Sequence, residues 1–264
     1  MSGRDGPRPV ALTIAGLDPS GGAGLMRDLT VFERLGVGGA AVATVLTVQS
    51  TRGVAAIHAV PAPFVREQLD EVLADLPIRA AKTGALGTAA LVEAVAASLA
   101  GAGVRNLVVD PVVLATSGRP LCDADGVRKL IELLIGLARV VTPNVQELAL
   151  LSGREVEDAE DVRDACRALA DRGARAVLAK GGHLDGDRAV DVLFDEGAFH
   201  DLAAPRLRFA GRLHGAGCTL SAALTALLAS GLPLVKAAER AKQHLAEALS
   251  RAGARGRGDL WPIG

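Results

Sequence analysis

The sequence predicts an α/β protein with three layers, α/β/α, whose central sheet is mostly parallel and carries a short antiparallel edge element. Apolar runs of strand length, rich in β-branched residues, recur along the chain, and segments with helical periodicity separate them. Strands that are apolar on both faces and alternate with helices are typical of a parallel sheet covered by helices on both sides. One α/β domain can reach 264 residues, so we predict a single domain over residues 1–264.

The elements follow in chain order. The predicted strands lie at 10–16, 40–48, 78–84, 104–110, 138–144 and 175–182. The predicted helices lie at 22–35, 63–75, 88–101, 123–137, 145–152, 158–172, 217–230 and 233–251. Residues 188–210 contain short strand-like runs joined by a glycine-containing turn, which indicates the antiparallel edge element. Ligands of open α/β sheets bind beyond the carboxyl ends of the strands, so we look for functional residues there.

Composition excludes several classes of function. A formal net charge of −1 and an aromatic content of 2% argue against a nucleic-acid surface built on basic grooves and stacking rings. No apolar run approaches the roughly 18 residues of a membrane span, and residues 1–9 lack the apolar core of a signal peptide. Cys122, Cys166 and Cys218 are too widely spaced for a disulfide framework or a zinc motif. We therefore expect a cytoplasmic protein that binds small molecules, without nucleic-acid or membrane partners.

The first predicted strand leads into a glycine-rich turn, "GGAG" at 21–24. Glycines allow the backbone to approach a neighbour closely just before a helix. The turn matches neither the Walker motif nor the dinucleotide fingerprint, and it could equally be a packing device. Asp28 lies one or two helical turns further on, where a solvated carboxylate needs no functional explanation.

A second glycine-rich turn, "HGAGC" at 214–218, opens the most apolar predicted helix. Unpaired N–H groups and the partial positive charge of a helix N-terminus favour anions. Gly215 and Gly217 would let these amides converge on a phosphoryl group in transfer. A thiol at a helix N-terminus has a lowered pKa, so Cys218 could be functional, or it could simply be a small buried apolar residue.

Polar residues also end three later strands. Asn144 follows the strand end at Thr142 and can cap the next helix, with Glu147 closing a capping box. Alternatively, Asn144 and Glu147 face the crevice and hold a hydrated Mg²⁺, which prefers oxygen ligands. Lys180 leaves its strand into a glycine-rich loop, where it can reach a nucleotide phosphate. Asp110 ends another strand and could support the metal site.

Segments along most of the chain resemble the hydroxymethylpyrimidine/phosphomethylpyrimidine kinase branch of the ribokinase superfamily. The similar segments cover residues 11 to 250 approximately and read "LTIAGLDPSGGAGLMRDL", "VQSTRGV", "DPVVLATSG", "TPNVQE", "AKGGH" and "HGAGCTLSAAL". The resemblance implies a ribokinase-like fold, ATP and Mg²⁺ as cofactors, and a homodimer. It also implies ATP-dependent phosphorylation of 4-amino-5-hydroxymethyl-2-methylpyrimidine and of its monophosphate, giving the diphosphate used in thiamine biosynthesis.

The resemblance also implies roles for individual residues. The pyrimidine site would consist of Gly16, Asp28, Gln49, Ala85, Val112 and Cys218. The nucleotide would contact Lys180, Thr142 and Asn144, with Asp110 and Glu147 near the metal and Gly215, Ala216 and Gly217 as the anion hole. A thiol in place of the carboxylate of related sugar kinases suggests that the site must accept an anionic phosphomonoester as well as an alcohol.

The sequence departs from the family pattern at three positions. Ala216, Ser50 and Ala85 stand where the family usually has Thr, Asn and Met. The backbone amide of Ala216 should preserve the anion hole. Changes at Ser50 and Ala85 re-shape the ring pocket, so a pyridoxal or related vitamin kinase is the alternative enzyme. A ligand-binding protein that has lost turnover is the alternative of another class.

Overall fold

The structure is a computed structural model and describes residues 7–181 and 188–264. In the described part a nine-stranded sheet has the order β3-β2-β1-β4-β5-β6-β7-β8-β9, and β10 and β11 form a separate pair. The strands are β1 Val10–Leu17, β2 Gly38–Ser50, β3 Gly53–Ala59, β4 Ile78–Thr83, β5 Leu107–Val109, β6 Val140–Val141, β7 Ala176–Ala179, β8 Arg188–Asp195, β9 Ala198–Pro205, β10 Arg212–His214 and β11 Leu260–Pro262.

Helices cover both faces of this sheet. They are α1 Gly24–Arg34, α2 Ala62–Asp75, α3 Ala89–Ala102, α4 Ala124–Lys129, α5 Val145–Ser152, α6 Ala159–Asp171, α7 Ala216–Ala229 and α8 Leu234–Leu249. A π-helical turn at Leu130–Leu134 continues α4. None of the helices formed by the described residues is long and apolar enough to cross a membrane.

The strand pairing confirms the predicted α/β class with a mostly parallel sheet. β1 pairs in parallel with β2 and β4, and the parallel arrangement continues through β5, β6 and β7. β8 and β9 add the predicted antiparallel edge. The opposite edge is also antiparallel, through β3, which we did not predict. Its sequence, "GVAAIHA", is rich in glycine and alanine and has little intrinsic strand preference.

Two apolar cores, one on each face of the sheet, produce the three layers. Successive strand residues point to opposite faces, so Val108 of β5 packs on one side while Leu107 and Val109 pack on the other. Residues of α2, α3, α5 and α6 fill the first core, and residues of α1, α7 and α8 fill the second. α7 is buried from Thr219 to Ala229, which matches its apolar sequence.

Candidate active site

A cavity of about 860 Å³ opens where the central strands end. Gly16, Ala85, Asp110, Asn144 and Lys180, from the ends of β1, β4, β5, β6 and β7 or just beyond them, line its wall. This is the place where open α/β sheets bind ligands, and a volume of this size accommodates substantial small molecules. The cavity therefore brings together residues that are far apart in the sequence.

Most of the predicted site residues line this cavity. They are Gly16, Gln49, Ala85, Asp110, Val112, Asn144, Glu147, Lys180, Gly215, Ala216, Gly217 and Cys218. Asp28 and Thr142 are fully buried behind the wall, and Ser50 is exposed outside it. The change of pocket shape expected from two of the family departures therefore reduces to Ala85.

The two glycine-rich turns pack directly against each other. A side chain at Gly22 would collide with the His214 ring, and one at Gly215 would overlap the carbonyl oxygen of Gly22. Gly215 also has a φ of 87°, in the left-handed region that favours glycine. The first turn is thus a packing device, as one interpretation held, and it also lines the cavity through Ala23 and Gly24.

The start of α7 faces the cavity with free backbone donors. The first hydrogen bond at this end joins the N–H of Thr219 to the carbonyl of Gly215, at 2.8 Å. The amides of Ala216, Gly217 and Cys218 precede that bond in the helix and have no intrahelical acceptor. Lys180 lies over them, with its Nζ 3.3 Å from where a Cβ on Gly217 would stand. Amides, helix dipole and ammonium together form an anion-binding corner.

Two carboxylates hold Lys180 in place. Its Nζ lies 2.9 Å from Asp110 Oδ1 and 3.6 Å from Glu147 Oε2. Burial alone lowers the pKa of Lys180, but these carboxylates raise it well above its ordinary value. Burial likewise acts to raise the pKa of Asp110, yet Lys180, Lys82 and Ser221 lower it. Lys180 is therefore a cation and Asp110 an anion.

The capping box predicted at α5 is present. The Asn144 side chain accepts from the N–H of Glu147 at 2.8 Å, and Glu147 Oε2 accepts from the N–H of Asn144 at 2.8 Å. Burial raises the pKa of Glu147. Both side chains nevertheless line the cavity, so the capping role does not remove them from the site.

Asp110 is also anchored from behind. Thr142 Oγ1 donates to Asp110 Oδ1 at 3.3 Å, and Ser221 Oγ donates to Asp110 Oδ2 at 2.8 Å. The hydroxyl of Thr142 is turned toward Asp110 and supports it, and the predicted contact of Thr142 with a nucleotide stays a prediction. In the described part of the chain, no cluster of three or more His, Cys, Asp or Glu side chains could hold a metal ion.

Asp28 does not face the cavity as the resemblance implied. Lys82 Nζ lies 2.9 Å from both Asp28 carboxylate oxygens, and Thr13 Oγ1 donates to Asp28 Oδ2 at 2.6 Å. Both members of this ion pair are fully buried, and Lys82 lines the cavity in front of Asp28. We missed Lys82 in the sequence, although a lysine inside the apolar strand "IRAAKT" was a signal of a buried partner.

Cys218 is a neutral thiol in this environment. Burial raises its pKa to about 11, Lys82 opposes this effect, and Asp28 and Asp110 add to it. The lowered pKa expected from the helix N-terminus is therefore wrong, because desolvation outweighs the dipole. The thiol contributes no negative charge to the cavity at neutral pH.

His214 joins several parts of the site. Its Nε2 lies 2.8 Å from Asp18 Oδ2 and 3.0 Å from Gln49 Nε2, and its Nδ1 lies 3.3 Å from Thr116 Oγ1. The imidazole is buried and directly precedes Gly215. Its contacts with Asp18 and Gln49 join residues far apart in the sequence, so no local pattern predicted them.

Apolar side chains and a buried ion pair also line the cavity. The apolar side chains include Leu207, Phe209 and Leu249, and in the ion pair Lys242 Nζ lies 2.7 Å from Asp191 Oδ2. Asp191 also accepts the N–H of Gly181 at 3.0 Å, which fixes the chain just after Lys180. The remainder of the segment "AKGGH", residues 182–183, lies outside the described residues.

Comparison with known proteins decides the family. The family model for phosphomethylpyrimidine kinase matches residues 18–262. The chain belongs to the phosphomethylpyrimidine kinase family. The resemblance predicted from the sequence is thereby confirmed, together with the kinase class and the ribokinase-like fold.

Two curated relatives and one solved protein illustrate this membership. The hydroxymethylpyrimidine/phosphomethylpyrimidine kinase of Rhizobium meliloti is 47% identical over 92% of this chain and 91% of its own length. The thiamine biosynthesis bifunctional protein ThiED of Geobacter sulfurreducens is 46% identical over 96% of this chain, which spans about half (51%) of that protein. Staphylococcus aureus pyridoxal kinase with AMP-PCP and pyridoxal is 31% identical, with a TM-score of 0.88 over 98% of this chain and 93% of that one.

Proposed function

We propose that this protein transfers the γ-phosphoryl group of ATP to the hydroxymethyl group of 4-amino-5-hydroxymethyl-2-methylpyrimidine, and then phosphorylates the resulting monophosphate. The observation that favours this most is the anion-binding corner, where three amides of α7 and the Lys180 ammonium face one large cavity. Phosphoryl transfer depends chiefly on positioning and on donors aimed at the migrating group. The membership of the chain in a kinase family also supports phosphoryl transfer as its reaction.

The nucleotide would lie against the apolar side chains of Leu207, Phe209 and Leu249, with its phosphates at Lys180 and Asn144. Asp110 and Glu147 both face the Lys180 ammonium there, at 2.9 and 3.6 Å. Both oxygens of Asp110 already accept hydrogen bonds, so the pair suits a hydrated Mg²⁺ whose remaining ligands are water and phosphate oxygens. Bound Mg²⁺ would neutralise charge on the transferring phosphates.

The acceptor ring would occupy the part of the cavity lined by Gly16, Gln49, Ala85 and Val112. Cys218 would lie beside the acceptor oxygen as a neutral group. Phosphoryl transfer passes through a loose transition state that needs little prior deprotonation of an alcohol. A neutral thiol therefore suffices for the alcohol, and it does not repel the anionic oxygen of the monophosphate.

ATP consumption, measured in parallel with hydroxymethylpyrimidine, its monophosphate and pyridoxal, tests this proposal. We expect turnover of the first two compounds and its loss in Lys180→Gln. Turnover of pyridoxal alone would replace the proposal by the second candidate, a pyridoxal kinase, which the pyridoxal-bound Staphylococcus aureus structure and the small side chain of Ala85 favour. Tight ligand binding without turnover would indicate a non-catalytic binding protein. The single domain, the homodimer and the cytoplasmic location stay predictions.

A further inference from the structure

Asp18 presents an ionised acceptor to His214. Burial by itself raises the pKa of Asp18, but hydrogen bonds from His214 and Ser20 lower it below its ordinary value. Asp18 Oδ1 accepts from the N–H and the hydroxyl of Ser20 at 2.9 and 2.7 Å, and Oδ2 accepts from the N–H of Ala23 at 3.0 Å. A carboxylate only accepts hydrogen bonds, so the Nε2 of His214 at 2.8 Å must carry a proton. This holds whether the imidazole is neutral or charged.

Gln49 contacts the same imidazole nitrogen. The Nε2 of Gln49 lies 3.0 Å from His214 Nε2, and its Oε1 lies 3.1 Å from Thr47 Oγ1. The hydroxyl of Thr47 also lies 2.9 Å from the carbonyl oxygen of Leu17, which can only accept. In this orientation two proton-bearing nitrogens face each other at His214, and two acceptors compete for the one proton of Thr47.

A half-turn of the Gln49 amide about its last side-chain bond removes the donor–donor contact at His214 and the competition for the one proton of Thr47. The two orientations have nearly the same shape and are distinguished by their hydrogen-bond network. After the turn, Gln49 Oε1 shares the one Nε2 proton of His214 with Asp18 Oδ2. One Nε2 proton of Gln49 is donated to Thr47, and Thr47 donates to Leu17. The imidazole itself is held in place by packing against Gly22 and by Thr116 at its Nδ1.

We propose that Asp18 and His214 are positioning residues that fix the Gln49 amide with its oxygen toward His214, so that its second N–H is offered to the ligand. The Gln49 amide would then recognise a ligand atom that accepts a hydrogen bond, such as an unprotonated ring nitrogen of a pyrimidine. A ring with a proton donor at that point would meet a second donor and bind more weakly. This specificity rests on the proposed function, whereas the orientation of the amide does not.

The orientation can be measured without any substrate. In protein labelled with ¹⁵N-glutamine, the side-chain amide signal of Gln49 is assigned by its loss in Gln49→Leu. We expect nuclear Overhauser contacts from its Nε2 protons to the methyl group of Thr47. Contacts to the ring protons of His214 instead would overturn the inference, even if the enzyme turns over the pyrimidine.

Two variants of His214 test the effect on binding. A glutamine can place its Nε2 donor where the imidazole has Nε2, whereas an asparagine reaches only the position of Nδ1. We expect His214→Asn to raise the KM for hydroxymethylpyrimidine about 10-fold, with kcat and the KM for ATP within about 3-fold of wild type. His214→Gln should restore the KM to within about 3-fold.

Different results would contradict the positioning role and the proposed function. Equal KM values in the two variants, or a loss confined to kcat, would contradict the positioning role. If wild-type protein turns over neither pyrimidine compound, the proposed function fails, and the amide signals still decide the inference. If His214→Asn does not fold, the same signals in wild-type protein decide it alone.

Discussion

Replacing Cys218 by aspartate should separate the two phosphorylation steps. The thiol is neutral because burial raises its pKa to about 11. Asp28 and Asp110, whose charges add to this effect, are each paired with a lysine. An aspartate at this position adds a negative charge without a partner of its own. A phosphomonoester acceptor is itself an anion, whereas the alcohol is neutral.

The size of the effect follows from Coulomb's law. Two unit charges 4 Å apart at an effective dielectric constant of 20 repel by about 4 kcal/mol, which corresponds to about 10³-fold in rate. We therefore expect Cys218→Asp to lower kcat/KM for the monophosphate about 10³-fold. The loss for the alcohol should stay within about 10-fold, because the carboxylate can act as a base there.

Steady-state release of ADP with each acceptor measures both values. Cys218→Ser, which stays neutral and nearly the same size, is the matched control and should affect the two acceptors alike. Equal losses for alcohol and monophosphate in Cys218→Asp would refute the argument that neutrality of the thiol serves the second step.

Four further changes test other parts of the site. Lys82→Met should destabilise the protein by about 3–5 kcal/mol in urea unfolding because it leaves Asp28 buried and unpaired, and the double variant Lys82→Met/Asp28→Leu should regain much of the loss. Gly215→Ala should lower kcat at least about 10-fold by pushing the anion-binding corner away from Gly22, as ADP release shows. Ala85→Met, which fills the ring pocket, should raise the kcat/KM preference for hydroxymethylpyrimidine over pyridoxal about 10-fold. The rate at which iodoacetamide alkylates Cys218, followed by mass spectrometry, should keep rising as the pH approaches about 11. A raised pKa keeps the thiolate scarce at lower pH, so a rate that reaches its plateau by pH 9 would contradict the burial effect.

The positions of the site residues could be predicted because they depend on local patterns. Lys180 and Asp110 follow apolar strand runs, and the carboxyl ends of parallel strands meet at one edge of the sheet. Once the strands are recognised, the residues that follow them are predicted to lie close together. The same reasoning located the antiparallel edge at 188–210, because a glycine turn between two strand-like runs is a local signal.

What the sequence did not predict depends on distant partners. β11, Leu260–Pro262, pairs with Arg212–His214 directly before the anion-binding corner, and no local pattern connects these segments. The Asp28–Lys82 pair likewise joins residues on different elements, so Asp28 could not be recognised as buried. The pKa of Cys218 is set by desolvation, which depends on everything packed around the thiol. The position of Cys218 at a helix N-terminus therefore predicted the wrong direction for its pKa shift.

The lysines of the cavity wall explain why the anion-binding corner needs backbone amides. Lys82, Lys180 and Lys242 are each paired with an aspartate, at 2.9, 2.9 and 2.7 Å. Such pairs keep buried ammonium groups charged and in position, but much of their attraction for an incoming phosphate is already balanced by the carboxylates. Among the residues that the structure describes, no carboxylate pairs with the amides at the start of α7, so these amides do not have to leave a partner. They can therefore stabilise charge that develops during transfer without reorganisation, which is the property that distinguishes catalysis from tight binding of ATP.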